Sequence, residues 1–383
     1  MNTSGKLAFI RSGTFSHTNE SVRRQLARVF PGYTIDEFEV RDILRAQPWF
    51  ALRNSVEMVR TYGVRDLIRR GDPIDCFIQT PACFRWLKNW FEKRMAGAGY
   101  DFTFQTQTMW DAATSHAPHF IYTDQTNLTH LKNPGIGQAL RMLGPWWDEL
   151  ETRILRNATG VFTMSSHVTR SIVEDYGCAP DKVRCVFVGN NAPVAAEVST
   201  ALARYERKEI LFVGVNWERK GGPELLEAFR RVRARHPEAT LTIIGCQPPI
   251  DEPGCQVVGR IEPARVTEHY QRASLYCLPT KLEAFGISYI EAMHHALPVV
   301  GTDMGAIPDF IHEGENGHRV PLGDVNRLTE VLEGLLSRPA EMQRMGQSSL
   351  ASARERYTWE QVGSRMGDSI RGLVSAHSQR ASA

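Results

Sequence analysis

A chain of 383 residues, 42% hydrophobic and 23% charged, is long enough to bury two cores and too apolar to be disordered. With 45 Lys and Arg against 43 Asp and Glu, its net charge of +2 excludes the strongly basic surface of a protein whose main partner is nucleic acid. No apolar run approaches the roughly 20 residues that span a bilayer, so peripheral contact is the only membrane association expected.

In chain order, apolar runs at 7–10, 74–79, 101–106, 120–123 and 160–164 predict strands, with helix-length segments between several of them. The turn after the first run, Ser12-Gly13-Thr14-Phe15-Ser16, holds one glycine. Residues 83–94 interleave Phe84, Trp86, Trp90 and Phe91 with Arg85, Lys88, Lys93 and Arg94 at helical spacing, the pattern of an interfacial helix resting on a membrane. Core packing is the stronger reading, because a crossover helix after the 74–79 run needs an apolar face and Leu87, Trp90 and Phe91 supply one.

Polar residues gather at two predicted strand ends: Gln105, Thr106 and Gln107, then YTDQTN at 122–127 with Asp124 and Thr126. Open α/β sheets bind ligands at such carboxyl ends, although an Asx-type turn explains the second cluster equally well. Residues 165–176 read as a helix with Ser166 as N-cap and Gly177 as its left-handed terminator.

The stretch 189–200, GNNAPVAAEVST, is small, polar and interrupted by proline, which marks an interdomain linker. A second set of strands is predicted at 210–215, 241–245, 256–258, 275–278 and 299–302, with helices at 224–235 and 324–336. Alternation of strands and helices predicts an α/β fold of parallel sheets covered on both faces, and two such sheets joined by a linker predict a deep cleft. Seven cysteines (Cys76, Cys83, Cys178, Cys185, Cys246, Cys255 and Cys277) form no C-x-x-C pair. Their odd number, with an N-terminus that is only briefly apolar, predicts buried free thiols and a cytoplasmic location, with peripheral contact at the inner face of a membrane as the alternative.

Glu283 and Glu291 lie eight positions apart around Phe285-Gly286, between the 275–278 run and a helix predicted to begin near Ile287. Free N–H groups around Phe285, Gly286 and Ile287 at that helix start favour a phosphate. Glu291, about one turn in, is placed to accept hydrogen bonds from ribose hydroxyls, and Glu283 on the loop faces a sugar. Alone, two acids at this spacing are more often a solvated face.

This stretch resembles the family 4 glycosyltransferase pattern of two glutamates separated by seven residues around a Phe-Gly turn. ILFVGVNWERKG at 210–221, with Gly214, Lys220 and Gly221, is similar to the segment that opens the family's second domain. LTIIG from Leu241, the Val258-Gly259-Arg260 turn and the Gly305-Ala306-Ile307-Pro308 turn follow in the family's order, over roughly residues 155–340. The resemblance implies the GT-B fold, with two Rossmann-like domains at 1–190 and 208–357, a linker at 191–207 and a last helix in 358–383 that crosses back to the first domain. It also implies a retaining transfer of sugar from a nucleotide diphosphate sugar to a hydroxyl acceptor, with no metal and no other cofactor. Lys220 matches the lysine facing the donor diphosphate. The arginine that commonly follows the strand glycine is replaced by Val215, so Arg219 is the candidate for its charge, with a solvated Arg-Lys pair as the alternative. Arg260 matches the segment near the nucleobase.

The first domain departs from the pattern. Gly13 stands where the family commonly has two glycines, and the histidine often found at a middle strand's end is absent, so Asp124 is the candidate there. The candidate set is therefore Glu283, Lys220, Arg219 and Asp124 for catalysis. Donor binding falls to Gly214, Gly221, Phe285, Gly286, Ile287, Glu291 and Arg260, and the acceptor side to Gly13, Gln105, Gln107 and Thr126. Two rivals remain, a nucleotide-sugar epimerase and a catalytically silent nucleotide-sugar-binding protein.

Overall fold

A computed structural model describes residues 4–70, 73–133, 145–194 and 197–381. Two residues of the expected linker, 195 and 196, and the last two of the chain lie outside the described residues. The first six strands are β1 (Gly5–Arg11), β2 (Tyr33–Glu39), β3 (Phe102–Thr106), β4 (His119–Thr123), β5 (Gly160–Thr163) and β6 (Val183–Cys185). They form one sheet in the order β2-β1-β3-β4-β5-β6, parallel at every pairing. Its inner strands are fully buried runs such as Phe102–Thr106 and His119–Thr123, as a sheet covered on both faces requires.

The second sheet contains β7 (Glu209–Val213), β8 (Thr240–Ile244), β9 (Cys255–Gly259), β10 (Leu275–Leu278), β11 (Val299–Thr302) and β12 (Gly317–Val320). Its order is β12-β11-β10-β7-β8-β9, again all parallel. The described residues fall into two compact units. The first holds those up to 131, those from 145 to 186 and those from 363 onward; the second holds 132–133 and the described residues between 187 and 362. The last helix, Trp359–Ala381, is counted with the second unit for its first four residues and with the first thereafter. No described helix is long and apolar enough to cross a membrane.

Residues 74–79, expected as a strand, form the helix Pro73–Ile78. Proline at a first helical position and Asp75 in the first turn are helix-start signals that outweigh an apolar run this short. The helix 165–176 runs Ser166–Glu174, and its cap is Ser165, whose Oγ accepts from the Val168 N–H at 3.3 Å, rather than Ser166. Gly177 takes the expected left-handed conformation (φ 63°). Cys83, Cys178, Cys246, Cys255 and Cys277 are free thiols, and Cys76, Cys83, Cys178 and Cys277 are buried.

The aromatic and basic segment lies in helix Pro81–Met95, begun by Thr80, whose Oγ1 accepts from the Cys83 N–H at 3.0 Å. Cys83, Leu87, Phe91 and Met95 are buried in one core cluster with Ala8 and Ile10 of β1, and Trp90 packs edge-on against Phe38 of β2 at 6.1 Å. The apolar face of this helix is therefore committed to the core. Replacing Trp90 by Ala together with Lys93 by Glu should cost about 2 kcal/mol, since a half-buried aromatic loses part of the 3–5 kcal/mol of a full truncation. A lowered Tm with unchanged vesicle sedimentation is the expected pair of observations.

Candidate functional site

Both sheets have a topological switch point, where connections leave neighbouring strands in opposite directions and their loops part to leave a crevice. In the second sheet it lies between β7 and β10, which pair at Leu275 with Ile210 and Tyr276 with Leu211. The loop after β7 carries Gly214, Arg219, Lys220 and Gly221, and the loop after β10 carries Glu283, Phe285 and Gly286.

The two loops are joined residue by residue. The Lys220 ammonium and the Glu283 carboxylate form an ion pair in which each side chain is only about one-tenth exposed (11% and 10%). The Lys281 N–H donates to the Arg219 carbonyl at 2.8 Å, and the Arg219 guanidinium donates to the Leu282 carbonyl at 3.0 Å. Gly221 makes this approach feasible: at φ 74° a Cβ there would lie 1.8 Å from the Pro279 carbonyl oxygen. Lys281 adds a third cation, bridged to Glu224 at 2.6 Å. Val215, in the place of the missing arginine, is exposed.

Helix Ile287–His294 begins directly after Gly286, its N-cap, whose φ of 102° favours glycine. Phe285 is buried against Phe310 at 5.5 Å, which anchors the turn, and Ile287 is half-buried at the helix start. Glu291 lies one turn in and accepts from the Tyr270 hydroxyl at 3.0 Å; the same hydroxyl also reaches the Ser288 carbonyl at 3.3 Å. His295 stacks on the Tyr270 ring at 5.3 Å and bonds the Glu291 carbonyl through Nδ1 at 2.8 Å. Burial raises the Glu291 carboxyl to about 7, with the Tyr270 hydrogen bond pulling the other way. Arg260 follows β9 at the same end of the sheet, exposed, and no hydrogen bond or ion pair joins it to the Lys220–Glu283 pair among the described residues.

In the first sheet the switch point lies between β1 and β3. Gly13 ends the β1 side, with its N–H at 3.1 Å from the Glu39 carboxylate, and lines a pocket of about 370 Å³ with Arg11, Thr14, His17 and Arg23. The turn that lacks a second glycine instead holds three consecutive residues at positive φ: Phe15 (46°), Ser16 (52°) and His17 (64°). Each costs about 1–2 kcal/mol for an L-residue, the kind of strain that clusters at ligand-binding turns. Asn19, missed in the sequence, joins the two sides by donating to the Gly13 carbonyl at 2.8 Å and accepting from Thr106 Oγ1 at 2.7 Å.

Gln107, Asp124 and Thr126 line one pocket of about 210 Å³ beyond β3 and β4, together with His130, Trp147 and Glu151. Gln107 is itself left-handed (φ 70°), and its Oε1 is buried with no hydrogen-bond partner, an orphan acceptor at the pocket wall. Glu151 accepts from Thr108 Oγ1 at 2.6 Å, the Asn127 N–H at 2.8 Å and the Tyr176 hydroxyl, and burial raises its carboxyl to about 7. Gln105 stands apart from this set. Fully buried, it donates to the Gln107 and Trp110 carbonyls and accepts from the Ala112 N–H and His119. Its amide holds the wall in place instead of facing the pocket.

Residues 207–338 match the family of group 1 glycosyl transferases. A phosphatidyl-myo-inositol mannosyltransferase of Mycobacterium leprae is 33% identical over 272 residues, which are 68% of this chain and 68% of the relative. The chain belongs to the group 1 glycosyl transferases. The residues quoted from 210 to 308 thus carried a true resemblance, and they lie within the matched segment. An MMP alpha-(1->4)-mannosyltransferase of Mycolicibacterium hassiacum is 25% identical over 225 residues, 56% of this chain and 54% of that relative. The chain thus spans between about half and two-thirds of these curated relatives. Among solved structures, this family member superposes on sucrose-phosphate synthase of Thermosynechococcus elongatus with a TM-score of 0.68 at 18% identity, covering 97% of this chain and all of that one. Anabaena HepE, solved in complex with UDP and glucose, gives 0.62 at 11% identity, covering 96% and 99%. The fold is GT-B.

Proposed function

We propose that the chain transfers a sugar, with retention of configuration, from a nucleotide diphosphate sugar to a hydroxyl-bearing acceptor. The observation that carries this reading is the Lys220–Glu283 pair at the switch point of the second sheet, one loop away from the amide-rich start of helix Ile287–His294. Lys220 and the Phe285–Ile287 amides are assigned to the diphosphate, whose charge rises as the sugar departs. Glu291 takes the ribose. Glu283, paired with Lys220, is assigned to the sugar side of the ligand. HepE, of the same fold, holds UDP and glucose in its crystal structure, which supports a nucleoside diphosphate here.

On the acceptor side, assigned to residues 1–190, Gln107, Asp124 and Thr126 offer polar atoms to hydroxyl groups, with Gln107 Oε1 the acceptor that lacks a partner. The reading includes peripheral contact with a membrane face, and no nucleic-acid partner is proposed.

Calorimetry with a free nucleoside diphosphate tests the Glu291 assignment. Charge-assisted hydrogen bonds are worth about 1.5–3 kcal/mol each, so Glu291→Ala should raise Kd tenfold or more, while Glu283→Ala should leave it near wild type and lower transfer from the intact donor. Because the folded-state carboxyl of Glu291 is raised, its ionisation costs stability as pH rises from the ordinary carboxylate value through about 7. Binding that favours the carboxylate then strengthens over the same window, and Kd should fall as pH rises toward about 7 and level off above it. Glu291→Gln should flatten that profile. Equal weakening by both alanine variants would overturn the division of roles.

A further inference from the structure

Eleven large hydrophobic side chains are exposed among the described residues, and six of them lie on the single helix Pro48–Arg70. Trp49 (84% exposed), Leu52 (64%), Val56 and Val59 recur at intervals of three, four and three, which places them on one helical face. The opposite face is anchored: Asn54, fully buried, donates to the Phe77 carbonyl at 2.8 Å and accepts from Thr80 Oγ1 at 2.6 Å, and Phe50 stacks on Trp86 at 4.5 Å. The apolar stripe cannot turn inward without breaking those contacts. After the break at Gly63 (φ 73°), Val64 and Ile68 continue the exposed apolar surface.

We propose that this helix docks the protein on an anionic lipid surface, lying in the plane of the interface. Charge selects that occupant. Among its described side chains the helix carries Arg53, Arg60 and Arg65 against Glu57. Arg53 and Arg60 each follow a stripe residue by one position, so their stems flank the apolar face and their guanidinium groups reach beside it. Neither they nor Arg65, all exposed, has an ion-pair partner among the described residues. A second copy packed stripe to stripe would bring these arginines together, whereas anionic headgroups neutralise them. Trp49 at the helix start supplies the aromatic anchor that interfaces favour. The surface differs from the aromatic helix Pro81–Met95, whose apolar side chains are in the core. The proposal stands independently of the transfer reading, since binding to lipid is measured without donor or acceptor.

Vesicle sedimentation of the full chain tests it, with phosphatidylcholine alone and with roughly a third phosphatidylglycerol added. The wild type should partition at least tenfold more strongly onto the anionic vesicles at low salt, with the preference shrinking as salt rises. Leu52→Glu with Val56→Glu should lose binding tenfold or more, and Arg53→Glu with Arg60→Glu should lose the preference for anionic lipid. All four positions are exposed, so the Tm should hold; if the glutamate pair fails to fold, Trp49→Ser serves in its place. Wild type that stays in solution with anionic vesicles overturns the proposal, as does a stripe variant that binds normally. A wild-type dimer that the stripe variant converts to monomer, with no vesicle binding by either, would assign the face to a second copy and also overturn it.

Discussion

Lys220→Ala should lower kcat/KM for the sugar donor by on the order of 10²–10³, the range for removing one preorganised group from a developing negative charge. The change should appear in both kcat and KM, because it removes the cation assigned to the leaving diphosphate and strands Glu283, which the ion pair now satisfies. Lys220 and Glu283 touch, so their losses should not add: the Lys220→Ala, Glu283→Ala double variant should fall little below the worse single variant. A full double-mutant cycle checks this. Strictly additive losses would separate the two residues functionally, and wild-type kinetics for Lys220→Ala would remove it from the site. Since side-chain cations and backbone amides are assigned to the diphosphate, rates in a chelator and in magnesium should agree; activity abolished by the chelator and restored by magnesium would count against that assignment.

Gly221→Ala should destabilise the second unit by about 2–5 kcal/mol, combining about 1–2 for a left-handed L-residue with about 1–3 for overpacking. Gly323 provides the control. Its φ of 73° matches the 74° of Gly221, yet a Cβ on Gly323 meets nothing within 4 Å, whereas one on Gly221 would lie 1.8 Å from the Pro279 oxygen. Gly323→Ala should therefore show the conformational cost alone. At about 2–4 °C per kcal/mol for a domain of this size, thermal melts resolve the difference. Similar shifts for both variants would mean that the loop after β7 does not press on the loop after β10, and the Lys220–Glu283 approach would lose its steric basis.

With one exception, β9, the strands visible in the sequence and those missed divide by position in the sheet. Nine of the twelve, among them β1, β3, β7, β8, β10 and β11, lie in or near predicted apolar runs; eight of the nine stand between two neighbours and are covered on both faces, and the ninth, β9, is an edge strand whose sequence CQVVG carries no charge. The three that went unseen, β2, β6 and β12, are all at sheet edges. YTIDEFE and GHRV carry the charges, and VRC the three-residue length, by which edges avoid further pairing. Residues 74–79 misled for the opposite reason: an apolar run of strand length has no period that separates it from a short buried helix, and the proline and aspartate at its start decided the matter.

The sequence by itself determined the alternation of strand and helix, the start of a helix at Ile287 and the family to which the chain belongs, because periodicity and closely spaced motifs are local properties. Tertiary structure alone decided which groups meet. Lys220 and Glu283 are 63 positions apart, and only the strand order that sets β7 beside β10 makes them partners. Tyr270 reaches Glu291 across 21 positions from a helix that carried no motif. The stripe on Pro48–Arg70 makes the same point in reverse: spacing of three and four says that a helical face is apolar, but whether protein covers that face depends on what the rest of the chain packs against it, and here the packing took the other side.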